Sequence, residues 1–486
     1  MYKVGEGIGI TFDDVLLVPR FSSIKSRKDV NTSTNLTRRI RLNIPLVSAS
    51  MDTVTESKMA IAMAREGGIG VIHRFMPIEQ QASEVRKVKR AESIIIENPY
   101  RISVDASVSD ARRIMEQHEV TGLIVVRDGD YVEGILTRRD ILFERDDSRV
   151  RDAMTPKHRL VTAREGVTTE EAIELIRQHK VEKIPIVDDG GRIKGLITAR
   201  DIISRGSYPN ASRDSKGRLM VAAAVGVKED CVDRARALYD AEVDLIVVDV
   251  AHGHTEQVLS TMKRIRRELG DSVELIAGNV ATPEGFEDLA SLSDCVKVGV
   301  GPGSVCTTRV VAGVGVPQLS AIINCAEASE RTGVPMMADG GIRSSADLVK
   351  ALAGGADTVM LGMLLAGTDE SPGTMVVRNG RKYKIYRGMA SFYAMLAREG
   401  KTSGGIADEL LDEVADYSYI AEGIEAYVDY RGSVSDVVKQ LISGLRSGLS
   451  YCGARDLREL RRNAVFIRIT EAALREGAPH DVEKIS

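Results

Sequence analysis

Tryptophan is absent from the 486-residue chain, and all aromatics together make up 4% of it. A sequence so poor in rings has little with which to build stacking platforms for single-stranded nucleic acid. Neither sign of charge dominates. There are 66 Lys and Arg against 70 Asp and Glu, a formal net charge of −4. Neither nucleic acid nor a membrane surface is an expected partner on that balance. Cysteine is scarce too, with five residues at 231, 295, 306, 325 and 452. They are scattered, odd in number and without metal-ligand spacing, which argues against a disulfide framework or a zinc site and fits a reducing cytosol. No apolar run is long enough to span a bilayer, and no signal-peptide pattern opens the chain. A cytoplasmic globular protein is the expectation. At 43% hydrophobic and 28% charged, 486 residues suffice for two to four domains.

What the chain does have is a series of short apolar runs. They fall at 44–49, 69–73, 219–225, 245–250, 274–277, 295–300, 336–338 and 358–361. Most are followed by a stretch with apolar residues three and four apart, as at 58–66, 232–241 and 346–353. Eight strand–helix units predict an α/β fold, a parallel (β/α)8 barrel. Continuous rather than alternating apolar strands suit a parallel sheet covered on both faces. An open doubly wound sheet has the same strand count and remains the alternative.

The series is interrupted once, between the second and third runs, and an internal repeat fills the gap. Thr137-Arg138-Arg139-Asp140-Ile141 is echoed by Thr198-Ala199-Arg200-Asp201-Ile202, an offset of 198 − 137 = 61 residues that His118 and His179 also keep. Each copy reads as helix, strand, turn, strand, helix. Two copies of one unit commonly stack to bury a face that neither covers alone. The expected organisation is a catalytic barrel at 1–91 and 208–486, with an insert at 92–207 split near 150/151.

The chain is organised around 298–318. A buried strand there breaks into Gly301-Pro302-Gly303-Ser304, then Cys306-Thr307-Thr308-Arg309, then Gly313-Val314-Gly315. So many glycines at a strand end cost backbone entropy, so the chain needs positive φ or close backbone approach there. Cys306 sits in a polar loop where burial gains little, with donors and a positive charge following at once. That setting can stabilise a thiolate nucleophile. An incidental cysteine in a tight turn is the plainer reading. In a (β/α)8 barrel the site gathers at the carboxyl ends of the strands. The polar residues there are Ser48, Asp249, Asn279, 301–308, Asp339-Gly340-Gly341 and Gly362. Gly340, Gly341 and Gly362 follow the seventh and eighth strands, where barrels commonly bind phosphate through backbone N–H groups. Asp339 could then accept from ribose hydroxyls, or could cap a helix. A phosphorylated ribose ligand is the inference.

The 298–318 stretch closely resembles the active-site loop of inosine monophosphate dehydrogenases and their relatives, the guanosine monophosphate reductases. The resemblance runs through 11–17, 50–56, Asp339-Gly340-Gly341-Ile342-Arg343, Tyr386-Arg387-Gly388-Met389, 444–448 and 451–454. It implies that Cys306 attacks C2 of a purine mononucleotide while hydride leaves to NAD, and that water then releases xanthosine monophosphate. It implies that Ser304, Asp339, Gly341 and Gly362 hold phosphate and ribose with Ser48 and Gly340 nearby, and that Tyr386, Gly388, Met389 and Glu422 border the nucleotide. Asp249, His252, Asn279, Gly299 and Gly301 would lie on the nicotinamide side, with Thr308 at the water or leaving group. It also implies potassium, held by carbonyls of Gly301, Gly303 and Cys306 and completed by Glu476, Gly477 and Ala478 of a neighbouring subunit in a homotetramer. The repeats resemble tandem cystathionine-β-synthase-type modules. Thr137, Asp140, Thr198 and Asp201 would there hold the ribose of an adenine or guanine nucleotide, or else the aspartates merely cap helices.

One departure stands out. Dehydrogenases of this family carry an Arg-Tyr pair on a flap, here 390–431, and no such dipeptide occurs between 390 and 423. Arg398, Lys401, Tyr417 and Tyr419 are the nearest substitutes, and 406–414 reads as an acidic amphipathic helix. The dehydrogenase reading is preferred. A reductase, which needs Cys306, Thr308 and Glu422 but no hydrolytic base, is the alternative. A nucleotide-sensing regulator without chemistry is a third reading, opposed by the intact Cys306 loop.

Overall fold

The computed structural model describes residues 8–91, 96–391 and 421–479. Eight short strands form the frame: β1 Leu46–Ser48, β2 Ile69–Ile72, β3 Ala222–Val225, β4 Leu245–Asp249, β5 Glu274–Val280, β6 Cys295–Val298, β7 Met336–Asp339 and β8 Thr358–Leu361. Each pairs in parallel with the next, and β8 pairs in parallel with β1, so the sheet closes on itself in chain order. The open doubly wound alternative is thereby excluded. Alternate residues of a strand share a face, and the inward set is apolar: Val47, Ile69 and Val71, Ala222 and Ala224, Leu245 and Val247, Ile276, Cys295, Met337 and Met360 fill the barrel. Continued two residues further, the same faces carry Asp249 on β4, Lys297 on β6 and Asp339 on β7. The barrel is therefore apolar below and ionic at its carboxyl end.

The helices follow the amphipathic stretches. They are α1 Ser57–Arg65, α2 Ile78–Arg90, α3 Cys231–Asp240, α4 Glu256–Leu269, α5 Pro283–Ala290, α6 Gln318–Thr332, α7 Ser345–Ala353 and α8 Val434–Tyr451. Hydroxyl caps start several of them. Thr255, Thr282, Ser344 and Ser433 each accept from a backbone N–H in the first turn, satisfying a donor the helix leaves open. Ser344, not Asp339, caps α7, so Asp339 keeps its carboxylate for the barrel mouth. α8 packs against α7 and α1 and closes the ring of helices.

The chain divides into two compact units, one of Met1–Lys89, Asn210–Asp214 and Leu219–Ser486, the other of Arg90–Pro209 with Ser215–Arg218. The second unit holds the repeats. One copy has helix Val108–Gln117 and hairpin Gly122–Arg127/Tyr131–Thr137; the other has helix Thr169–His179 and hairpin Lys183–Val187/Ile193–Thr198. Ile124, Val126, Val132 and Ile135 of one pack with Ile193 and Leu196 of the other. Only the second copy closes with the expected helix, Ala199–Ser207. In the first, residues 138–143 form turns. Asp140 accepts there from both the Thr137 amide and the Thr137 hydroxyl, each at 2.7 Å, so it bonds back to the strand end and caps no helix. Ser107 and Asp110 make the same pair of bonds at the start of helix Val108–Gln117, so the pair is a capping arrangement that the chain here does not extend into a helix. Thr198 ends its strand, and the side chain of Asp201 lies outside the described residues.

Candidate active site

The loop after β6 needs its glycines for close approach. Gly299 has φ +146°, and a Cβ there would stand 2.1 Å from the Asp339 carbonyl oxygen. Gly340 has φ +88°, and a Cβ would press on Pro302 at 2.7 Å. Bare backbone thus lets the β6 and β7 loops pack edge to edge, leaving amides along the wall. Arg309 holds the loop from beneath, its guanidinium donating to the carbonyls of Val300 and Val316. The sequence suggests a cation free to face the sulfur. Arg309 is instead engaged by the loop, where burial lowers its pKa although the nearby Cys306 favours its charge.

A cavity of about 400 Å3 opens at the carboxyl ends of the strands. That is within the range of small-molecule sites. Its lining includes Ser304, Gly340, Gly341 and Gly362 from the loops after β6, β7 and β8, and Ser50, Arg74, Phe75 and Asp249 from the ends of β1, β2 and β4. β8 and β4 are four strands apart in an eight-stranded barrel, so Gly362 and Asp249 lie at opposite strands of the mouth. Cys306, Thr308 and Glu422 lie on the wall with Asn279, Gly299, Gly301, Gly303, Asp339, Tyr386, Gly388 and Met389.

Three groups form a series. Thr308 Oγ1 lies 3.2 Å from Cys306 Sγ and donates to Glu422 Oε2 at 2.7 Å. The Glu422 carbonyl accepts from the Thr307 amide at 2.9 Å, and the Ile424 amide donates to the Val305 carbonyl at 3.0 Å. These backbone bonds pin the 421–424 segment against the cysteine loop. Cys306 is half-exposed while the other four cysteines are buried. A hydroxyl between a thiol and a carboxylate can relay a proton in either direction.

The floor is ionic. Lys297, 1% exposed, donates to Asp249 Oδ1 at 2.8 Å, to Asp339 Oδ2 at 2.6 Å and to Asn279 Oδ1. Burial disfavours its charge most, but Asp249 and Asp339 outweigh it and raise its pKa. For Asp249 burial again opposes charge first, and Lys297 with the Ser50 hydroxyl at 2.6 Å overcomes it, leaving the carboxyl below its ordinary range. Burial raises the Tyr386 phenol, which sits 3.6 Å from Met51 Sδ.

Five residues expected at this site are not on the wall. Ser48 is fully buried and bonded to Thr55 Oγ1 at 2.9 Å, because the strand's last residue faces α1. His252 is exposed in the loop after β4, three residues past Asp249 and outside the cavity lining. Glu476, Gly477 and Ala478 end the helix Glu471–Glu476, away from this lining. Arg398, Lys401, Tyr417, Tyr419 and the 406–414 stretch lie outside the described residues. Sequence reasoning missed Lys297, although a lone lysine in an apolar strand was a readable signal. It also missed Arg74 and Phe75, which only the closing of the barrel brings to the mouth.

Similarity to known proteins accords with this geometry. The family model for the IMP dehydrogenase / GMP reductase domain matches residues 9–480. The chain is 52% identical over 475 residues to the inosine-5'-monophosphate dehydrogenase of Nitrosopumilus maritimus, covering 98% of both. It is 50% identical over 479 residues to that of Bacillus subtilis, covering 98% of this chain and 96% of the other. Among solved structures, a GMP reductase variant from Trypanosoma brucei in complex with guanosine 5'-monophosphate has a TM-score of 0.90 at 43% identity, covering 98% of each chain. With barrel, cysteine loop and full-length similarity in accord, the chain belongs to the IMP dehydrogenase / GMP reductase family.

Proposed function

We propose that the chain is an NAD-dependent dehydrogenase that oxidises inosine monophosphate to xanthosine monophosphate for guanine nucleotide synthesis. The observation that carries the reading is the Cys306–Thr308–Glu422 series on the wall of a cavity with a glycine cradle at one side and an ionised carboxylate across from it. Ser304 and the amides at Gly340, Gly341 and Gly362 bind the phosphate, and Asp339 accepts from the ribose hydroxyls. Tyr386, Gly388 and Met389 border the base and turn C2 toward Cys306. The thiolate adds to C2, and the carbon stays linked to sulfur as a thioimidate once hydride has left. Thr308 then orients a water at C2, and Glu422 accepts the proton through the Thr308 hydroxyl.

NAD, when bound, supplies the hydride acceptor. The side of the cavity bearing Asp249 fits it, because a carboxylate held ionised by Lys297 and Ser50 suits the hydroxyls of a nicotinamide ribose. Asn279, Gly299 and Gly301 adjoin it. A potassium ion fits the loop itself. Among the described residues the carbonyls of Gly301 and Cys306 accept no hydrogen bond, and that of Gly303 accepts only the Cys306 amide. Neutral oxygens of this kind suit a hard monovalent cation. Carbonyls of Glu476, Gly477 and Ala478 from a neighbouring subunit would complete the shell in a homotetramer. The repeat unit is read as a tandem pair of cystathionine-β-synthase-type modules taking an adenine or guanine nucleotide at Thr137, Asp140, Thr198 and Asp201. Among the described residues no helix is long and apolar enough to cross a membrane.

One observation favours a second reading. Glu422 already occupies Thr308, and no Arg-Tyr pair lies between 390 and 423 to activate water. A reductase would use the same series to release ammonia from guanosine monophosphate as NADPH delivers hydride to C2. The test is a paired assay, inosine monophosphate with NAD and potassium in one arm and guanosine monophosphate with NADPH in the other, with Cys306→Ala as the blank. Turnover in the first arm supports the dehydrogenase. Turnover in the second arm alone makes the chain a reductase.

A further inference from the structure

Lys297 is the buried charge that the mechanism leaves without a task. An ammonium has three protons to donate, and all three are spent, on Asp249, Asp339 and Asn279. The lysine therefore has none left for a ligand. Its two carboxylate partners come from strands on different sides of the barrel mouth. Asp249 gives Oδ1 to Lys297 and Oδ2 to the Ser50 hydroxyl. Asp339 gives Oδ2 to both Lys297 and the Asn279 amide. Its Oδ1 accepts no hydrogen bond among the described residues. Asn279 is tied in turn to the Gly299 carbonyl at 2.7 Å. One cation thus sets the orientation and the charge of both acids, and leaves Asp339 an oxygen for the cavity.

Resting on the proposed function, we propose that Lys297 is a positioning residue shared by the two half-sites. Through Asp339 it serves nucleotide binding, and through Asp249 it serves dinucleotide binding, while touching neither ligand. Without the ammonium, two half-buried carboxylates would face each other uncompensated. Each would turn away, draw in water or take up a proton. A purely architectural lysine would instead lower both affinities through general loosening of the barrel.

Double-mutant cycles separate these cases. The full chain carries Cys306→Ala so that no turnover occurs, and calorimetric titrations measure inosine monophosphate and NAD separately. Lys297→Met is expected to weaken each ligand by about tenfold or more, the worth of a charge-assisted hydrogen bond. In an Asp339→Asn background the same substitution is expected to leave nucleotide affinity unchanged while still weakening NAD. In an Asp249→Asn background the pattern inverts. Lys297→Gln, neutral but able to donate, carries the same cycle where the methionine variant fails a thermal-melt check for folding. Losses that multiply in every background, or no loss at all, overturn the proposal. A Cys306→Ala parent that binds neither inosine nor guanosine monophosphate overturns the functional reading, and the proposal with it.

Discussion

Thr308→Val tests the chemistry most directly. Valine keeps the β-branched shape and removes only the hydroxyl that stands 3.2 Å from Cys306 Sγ and 2.7 Å from Glu422 Oε2. The lost bond is charge-assisted, worth about 1.5–3 kcal/mol. A positioned acid or base contributes roughly 10²–10⁴-fold. Steady-state turnover should therefore fall about 10²-fold or more, which is roughly 2.7 kcal/mol of barrier. The first turnover should survive, because Cys306 and the cavity that binds the nucleotide are untouched. Glu422 is half-buried, so water can replace the lost donor, and stability should change by only about 1 kcal/mol. Stopped-flow absorbance of the reduced nicotinamide separates the phases: a burst of normal amplitude, then a slow steady state. A steady-state rate within about threefold of wild type would refute the relay, and would move water activation to a group in the 392–420 segment.

Three further outcomes are expected. Iodoacetamide should alkylate Cys306 alone, read by peptide mass spectrometry, because the other four cysteines are buried and burial raises the thiols of Cys295, Cys452 and Cys325, the last to about 12. Lys89→Met should cost about 3 kcal/mol in urea unfolding, since it removes the buried ammonium that bridges Asp214 at 3.0 Å and Asp244 at 2.6 Å. Asp244 limits that cost, because burial already raises its pKa and it can take a proton instead. Asp249 makes stability pH-dependent: its folded pKa lies below the unfolded one, so its contribution is present above about pH 4 and is lost as pH falls through the folded value. Urea midpoints across this range should fall with acidification in wild type and fall less in Asp249→Asn.

Much of the barrel was legible. The runs at 69–73, 245–250 and 358–361 became β2, β4 and β8 with shifts of a residue at most. Buried parallel strands must be apolar on both faces, and that leaves an unbroken signal. The run at 219–225 pairs only from Ala222, because sheet pairing depends on the neighbouring strands and not on the run's own composition. In the repeats the two hairpins matched their copies. The closing segment did not: residues 138–143 of the first copy form turns where the second copy has the helix Ala199–Ser207.

The sequence by itself determined the alternation of strands and helices, the interruption after the second strand and the glycine-bounded Cys306 loop. These are local properties, written in periodicity and in residues that few other conformations tolerate. Only the tertiary structure decided which charges meet. Asp249 and Asp339 lie 48 and 42 residues from Lys297, and Glu422 lies 114 residues from Thr308. Those separations carry no pattern along the chain. Closing the sheet turns the inward faces of β4, β6 and β7 onto one point. There one buried ammonium can offset two carboxylates that line the cavity.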